Sequence, residues 1–251
     1  LISLLELLIE ANNAPKAIFM AGPAGSGKTT IRKKLNIEGF QIINIDDEYE
    51  ELLKQSGIES DFAKMTPDEL SKSGELMGQA RRITKDKESQ SIEGLNNIII
   101  DGTGAASKPI LAKKKLLEDL GYTTFMILIY VSPVTSLERN VSRDRKLPTS
   151  AVLGSWRGVV SNIEEYKKAF GNNIVLLNTD DKTANKDFPS REELLKRFPM
   201  PKGKPKTPEE MEKRRKKAEQ VNNEIKQLLQ IDREFEGFDE AKNKIVKFLN
   251  Y

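Results

Sequence analysis

Residues Gly22 to Thr29 read GPAGSGKT, between the apolar run Ala17–Ala21 (AIFMA) and the segment Thr30–Leu35 (TIRKKL). The octet fits G-x-x-x-x-G-K-[ST] at every fixed position, and this pattern carries mechanical meaning when a strand precedes it and a helix follows. AIFMA has the length and content of a buried parallel strand. Thr30–Leu35 can open a helix. Glycines at 22, 25 and 27 permit backbone angles that a Cβ would obstruct, so successive N–H groups can turn inward around an anion. The helix that starts near Lys28 adds its positive N-terminal end to the same place. The pattern therefore predicts a phosphate cradle built from Gly22, Pro23, Ala24, Gly25, Ser26, Gly27, Lys28, Thr29 and Thr30. Lys28 would reach the β and γ oxygens of ATP, and the Thr29 hydroxyl would hold Mg²⁺. The bland alternative is a tight glycine turn with no ligand.

Composition narrows the chemistry. Among 251 residues there is no Cys and no His, which removes thiol nucleophiles, disulfides, zinc fingers and histidine bases. Any proton must then be moved by Asp or Glu, which suits phosphoryl transfer, a reaction that needs positioning and charge more than a nucleophilic side chain. No run approaches the roughly 20 apolar residues of a membrane span, so a soluble, cytoplasmic protein with no membrane partner is expected. The first nine residues, LISLLELLI, read as a short helix packed on the domain rather than a signal segment. Residues 1–200 hold 28 basic and 28 acidic side chains, so the whole formal excess of +3 lies in the last fifty-one residues. A neutral body argues against a long nucleic-acid-binding face.

Working outward from the loop, Gln41–Ile45 reads as a second strand that delivers Asp46, Asp47 and Glu48 to the carboxyl edge of a parallel sheet, where ligands bind. Capping of the next helix by Asp46 or Asp47 is the competing use. Thr66, Pro67 and Glu69 form a capping-box start for a long polar helix to about Ser89, which carries Arg81 and Arg82. Of these Arg82 is a candidate phosphate contact. A third strand, Asn97–Ile100, leads into Asp101-Gly102-Thr103-Gly104 at the same edge, with Asp101 suited to an outer-shell Mg²⁺ contact and Thr103 offering a hydroxyl. Ser107 and Pro109 open a helix that stops at Gly121, followed by the longest apolar run, Thr124–Val131, as a strand buried on both faces.

After Ser132 and Pro133 a helix contains LERNVSRDR, residues 137–145, in which Arg139 and Arg143 stand four apart on one face. Guanidinium forks on a lid can bind the oxygens of a migrating phosphoryl group. Trp156 and Tyr166, in the helical segment beyond, read as core. A fifth strand, Asn173–Leu177, ends in a loop of residues 178–182 that can approach a nucleotide base. Five strands with helical crossovers make a parallel sheet flanked by helices, a three-layer α/β sandwich over residues 1–198. Residues 199–251 read as a Pro- and Lys-rich linker, a charged helix to about Gln230, and a short amphipathic helix from Phe235 that docks back.

In this order the segments resemble the zeta-toxin family of P-loop kinases, relatives of polynucleotide and nucleoside monophosphate kinases, over roughly residues 15–180. GPAGSGKT is common to a wide superfamily; the strand followed by DGTG at 98–104, and LERNVSRDR beyond it, carry the narrower likeness. The resemblance implies ATP-dependent phosphorylation of a sugar nucleotide, UDP-N-acetylglucosamine, on its 3′-hydroxyl. It implies Asp46 or Asp47 as the base, Thr103 as a substrate contact, and Arg139 with Arg143 or Arg145 as the phosphoryl clamp. It also brings an antitoxin into view as a protein partner. Two positions depart from the family: Asp101 stands where Glu is usual, and Ala105 and Ala106 follow the turn where an Arg is usual. The run Asp46-Asp47-Glu48-Tyr49 also resembles polynucleotide kinases, which makes a 5′-hydroxyl end the alternative acceptor. A nucleotide-binding regulator with no transfer activity is the alternative of another class.

Overall fold

A computed structural model describes residues 14–35, 37–60, 64–143, 145–147, 149–180, 209 and 238–249. The chain divides into two compact units, residues 1–179 with 236–251, and residues 180–235; every strand and helix named below belongs to the first. Five strands are described: β1 Lys16–Ala21, β2 Gln41–Ile43, β3 Ile98–Asp101, β4 Thr123–Tyr130 and β5 Ile174–Asn178. The helices are α1 Lys28–Leu35, α2 Ile45–Ser56, α3 Pro67–Glu93, α4 Ser107–Asp119, α5 Pro133–Val141, α6 Thr149–Ser161, α7 Ile163–Phe170 and α8 Phe238–Leu249. All pairings are parallel, in the order β2-β3-β1-β4-β5. The chain leaves β1 toward one edge, returns to β3, then crosses β1 to reach β4, so β1 lies at the switch point where open α/β sheets bind ligands.

Both faces of the sheet are dry, which is why its strands read as unbroken apolar runs rather than alternating ones. Ile18, Met20, Ile99, Phe125, Ile127, Ile129, Val175 and Leu177 face Ile31 of α1 and Ile245 and Phe248 of α8. The Phe125 and Phe248 rings lie 4.8 Å apart, and Lys16 Nζ donates to the Leu249 carbonyl at 3.0 Å. The terminal helix is thus part of the wall that keeps water off the phosphate-loop side of the sheet. On the opposite face Phe19 meets Phe170 edge-on at 5.6 Å, and Trp156 donates Nε1–H to the Val131 carbonyl at 2.9 Å. A satellite cluster of Tyr49, Leu53, Leu76 and Ala80 joins α2 to α3.

Several boundaries differ from the sequence reading; α5 stops at Val141, so Arg143 and Arg145 lie beyond the helix expected to carry them. β2 ends at Ile43, not Ile45, because the Asn44 side chain accepts from the Asp46 N–H and starts α2. Asp46, Asp47 and Glu48 therefore ride on the first turn of a helix, and neither aspartate is its cap. Asp101 lies inside β3, paired with Met20, rather than just beyond it. The capping box of α3 forms as written, with Glu69 accepting from the Thr66 N–H at 2.8 Å, and the helix runs on to Glu93. The expected helix at residues 1–9, the linker at 199–208 and the body of the charged helix to Gln230 lie outside the described residues. Among the described residues no helix is long and apolar enough to cross a membrane.

Candidate active site

The loop after β1 is shaped by close approach. A Cβ on Gly22 would sit 2.6 Å from the Ile129 carbonyl oxygen and from Ser26 Oγ, and one on Gly25, whose φ is +77°, would sit 2.7 Å from the Ser136 carbonyl. Only glycine lets the backbone pass there. Gly22 N–H donates to the Thr103 carbonyl and Gly102 N–H to the Met20 carbonyl, both at 3.0 Å, so the β1·β3 ladder continues past the strands and joins the two loops. Lys28, at the first position of α1, donates Nζ to the Gly22 carbonyl at 2.8 Å and to that of Pro23 at 3.5 Å. An ammonium has three donors, so one is left over. The buried Ser26 Oγ of the same loop makes no hydrogen bond among the described residues. Thr29 and Thr30 are exposed on the first turn of α1. A triphosphate fits this donor set.

Next to the loop stands a charged network that links three elements. Asp101, 8 % exposed, accepts from Arg32 Nη1 and from Asn44 Nδ2, both at 3.3 Å. Arg32 Nη2 also reaches Asp47 Oδ2 at 3.1 Å, and Asn44 Nδ2 reaches Asp47 Oδ1 at 3.1 Å. Burial pushes the Asp101 carboxyl above its ordinary value; Lys28 and Arg32 oppose the rise, and Asp47 and Asp46 add to it. Burial likewise lowers the Lys28 ammonium, against the pull of Asp101 and then Asp46, with Arg143 pushing it further down. Asp46 is thus the first-turn carboxylate whose field reaches Lys28, while Asp47 is tied to Arg32 and Asn44. Among the described residues no group of three or more acidic side chains forms a metal cage. Mg²⁺ needs none, since one or two protein ligands and phosphate oxygens commonly hold it. The Thr29 hydroxyl and the Asp101 carboxylate fit that requirement.

The arginines of 137–145 separate by contact. Arg139 donates to the Gly25 carbonyl at 3.1 Å, to Thr179 Oγ1 at 3.2 Å and to the Thr179 carbonyl at 2.7 Å. It braces the phosphate loop against the end of β5. Ser136 Oγ donates to the Ala24 carbonyl, and Ala24 N–H donates to Ser155 Oγ at 3.4 Å, so α5 and α6 hold the outer arch as well. Arg143 is exposed and makes no ion pair among the described residues, yet its charge is felt at Lys28. Arg145 donates Nη2 to Asp46 Oδ1 at 2.9 Å and lies with its guanidinium carbon 5.2 Å from the Tyr49 ring centre.

Thr103 is exposed; its carbonyl is taken by Gly22, and its hydroxyl accepts from the Ala105 N–H at 3.4 Å. The turn is clamped from behind. Tyr166 donates its hydroxyl to the Gly104 carbonyl at 2.8 Å, Asn162 donates to the Ala105 carbonyl at 3.1 Å, and a Cβ on Gly158 would meet that carbonyl at 2.6 Å. Burial raises the Tyr166 phenol to about 12, so it remains a donor at neutral pH. Arg82 lies away from this assembly, exposed on α3 two positions past the buried Ala80, about 200° around the helix. Sequence reading missed Arg32, Asn44 and the clamp of Gly158, Asn162 and Tyr166. Arg32 alone carried a signal, standing one turn after Lys28 on the same helical face.

A family model described as Zeta toxin matches residues 5–193. The chain belongs to the zeta toxin family. Its sheet, phosphate loop and helical layers are those of a P-loop kinase, and its enzyme class is accordingly a phosphotransferase. No curated protein matches it in sequence. Among solved structures, a chain of AvrRxo1-ORF1:AvrRxo1-ORF2 with sulphate ions is similar at 18 % identity and a TM-score of 0.53, over 70 % of this chain and 62 % of that one. The zeta-toxin chain thus spans less than two thirds of that relative. The same assembly with ATP gives the same values. The PezAT toxin–antitoxin system of Streptococcus pneumoniae is similar at 18 % identity and a TM-score of 0.48, over 83 % of this chain and 87 % of that one.

Proposed function

We propose that the chain transfers the γ-phosphoryl group of ATP to a hydroxyl of a small nucleotide-like acceptor, with a sugar nucleotide such as UDP-N-acetylglucosamine as the first candidate. The observation that carries this reading is the gathering at one edge of the sheet of Lys28 on the loop, Asp101 at the end of β3, Asp46 on the first turn of α2 and Arg143 just past α5. They are a phosphate cation, a metal carboxylate, a base and a lid cation, the four parts that phosphoryl transfer needs. The loop N–H groups and Lys28 hold the β and γ oxygens. Thr29 and Asp101 would hold Mg²⁺, which when bound offsets the charge on those oxygens. Arg143 neutralises the migrating group. Asp46 takes the acceptor's hydroxyl proton while the acceptor oxygen bonds to the γ-phosphorus, the bond to the β–γ bridging oxygen breaks, and ADP leaves. Asp46 is preferred to Asp47 because Asp47 is held by both Arg32 and Asn44, whereas the Asp46 carboxylate is bonded to Arg145 alone among the described residues. Thr103, exposed beside the loop, is proposed as an acceptor contact; Arg82 has no part in this reading.

The similar AvrRxo1 structure with ATP supports the donor, and its origin in a two-protein assembly supports a protein partner here. The test is incubation with γ-labelled ATP, Mg²⁺ and a panel of sugar nucleotides, nucleosides and 5′-hydroxyl oligonucleotides, followed by location of the label. Label on a small acceptor supports the reading. Label on oligonucleotide ends, with the steep salt dependence of polyanion binding, moves the acceptor to nucleic acid. ATP binding without any labelled product makes the chain a nucleotide-binding regulator. Asp46→Asn is expected to lose transfer and keep ATP binding, while Asp47→Asn keeps most turnover; the reverse result moves the base by one residue.

A further inference from the structure

Beyond Asp46 lies a cavity of about 820 Å³, between the distal half of α2, the start of α3 and the segment after α5. Its charged lining is balanced: Glu50, Glu59 and Glu69 against Lys54, Arg143 and Arg145, with Leu53 and Ile58 as an apolar floor. Glu69 is already committed to the Thr66 capping box. Arg145 stands at the junction between this cavity and the base. Its side chain is 13 % exposed; Nη2 is bonded to Asp46, but Nη1 is buried and, among the described residues, makes no hydrogen bond and has only Glu50 in ionic range, at 3.7 Å. The residue is held in place rather than roaming. Asn140 donates Nδ2 to the Leu147 carbonyl at 2.8 Å and accepts from the Leu147 N–H at 3.0 Å, which folds the segment back onto α5. Tyr49 supports the guanidinium from below.

A buried guanidinium N–H with no acceptor is costly unless something fills it. Arginine's planar fork is matched to phosphate and carboxylate oxygens, and one face of this fork is spent on Asp46. We propose that this cavity holds the phosphate-bearing part of the acceptor, beyond the reacting end at Asp46, and that Arg145 is its recognition residue, with the unfilled Nη1–H taking a phosphate group there. The proposal rests on the kinase reading above. It gives the three arginines three tasks: Arg139 braces the loop, Arg143 meets the migrating group, and Arg145 ties the acceptor to its base. The balanced lining offers no run of cations for the repeated charges of a polynucleotide, and its volume suits a single phosphorylated small molecule.

The test is calorimetry on the full chain saturated with AMP-PNP and Mg²⁺, titrated with inorganic pyrophosphate at matched free Mg²⁺. AMP-PNP fills the phosphate loop, so pyrophosphate must bind elsewhere. Wild type is expected to bind it, Arg145→Gln to bind it at least tenfold more weakly, and both to bind AMP-PNP within twofold of each other. Equal pyrophosphate affinity in the two proteins, or none in wild type, overturns the proposal. Loss of AMP-PNP binding itself is read before pyrophosphate is added, and it ends the kinase reading together with this one. Glu50→Gln guards against misfolding of the arginine variant: removing the competing carboxylate should tighten pyrophosphate several-fold, and no change counts against the assignment. Tighter binding of a 5′-hydroxyl oligonucleotide than of pyrophosphate also overturns it.

Discussion

Replacing Arg139 and Arg143 separately by alanine should divide two roles that helical spacing alone merges. Arg139 spends its guanidinium on three oxygens, those of Gly25, the Thr179 side chain and the Thr179 backbone. A hydrogen bond from a charged donor contributes about 1.5–3 kcal/mol, and three that share one head group do not add. Arg139→Ala should therefore cost about 2–4 kcal/mol of stability, which for a unit of this size lowers the melting midpoint by about 5–15 °C. It should also weaken AMP-PNP binding, because the Gly25 carbonyl is no longer fixed and the loop N–H groups lose their aim. Arg143 is exposed and supports no described contact. Arg143→Ala should melt with wild type and bind AMP-PNP normally, while turnover falls by about 10³–10⁵, the scale of a lost transition-state arginine. The assays are thermal unfolding, nucleotide calorimetry and initial-rate kinetics on the same three proteins. If Arg139→Ala melts with wild type and loses only turnover, the brace is wrong and Arg139 is itself the phosphoryl clamp.

Four further outcomes follow from other contacts. Arg32 holds the Asp101 carboxyl down against burial, so Arg32→Gln should raise it further, leave more of it protonated at a given pH, and move the acid limb of the kcat/KM profile upward; an unmoved limb would show that Asp101 does not titrate in the reaction. Gly104 has φ +72°, and a Cβ there would sit 2.6 Å from the Ala21 Cβ, so Gly104→Ala should destabilise the protein and impair turnover, whereas Gly102→Ala, with nothing within 4 Å, should do little to packing. Phe248→Ala should cost about 3 kcal/mol in denaturant unfolding, as for other buried aromatics, because its ring packs on Phe125. For the same reason, deletion of residues 200–251 should unfold the sheet rather than leave an active core, and a fully stable truncated protein would show that α8 is dispensable.

Much of the architecture is written in local signals. The apolar runs at Ala17–Ala21 and Thr124–Val131 had to be buried on both faces, and GPAGSGKT between a strand and a helix had to form an anion nest. The acidic group after β2, the DGTG turn after β3 and the arginines after β4 were recoverable as a set because a parallel sheet sends every strand's carboxyl end to one edge. Chain order alone was enough to bring them to one place.

What each charge does there was decided only by tertiary contact. Asp46 and Asp47 are adjacent in sequence with equal chemistry, and they diverge because successive residues on a helix point about 100° apart, one to Arg145 and the other to Arg32. Arg139 and Arg143 were expected to share a helical face, but α5 ends at Val141, so only the first rides on the helix, where it reaches the Gly25 and Thr179 carbonyls. The terminal helix likewise showed its amphipathic face in sequence, but that it closes over Phe125 in the same cluster as Ile31 of α1 is a matter of packing. Periodicity and motif spacing specify which side chains a face presents; the partner that each one meets is set by residues tens to hundreds of positions away, and no local pattern encodes it.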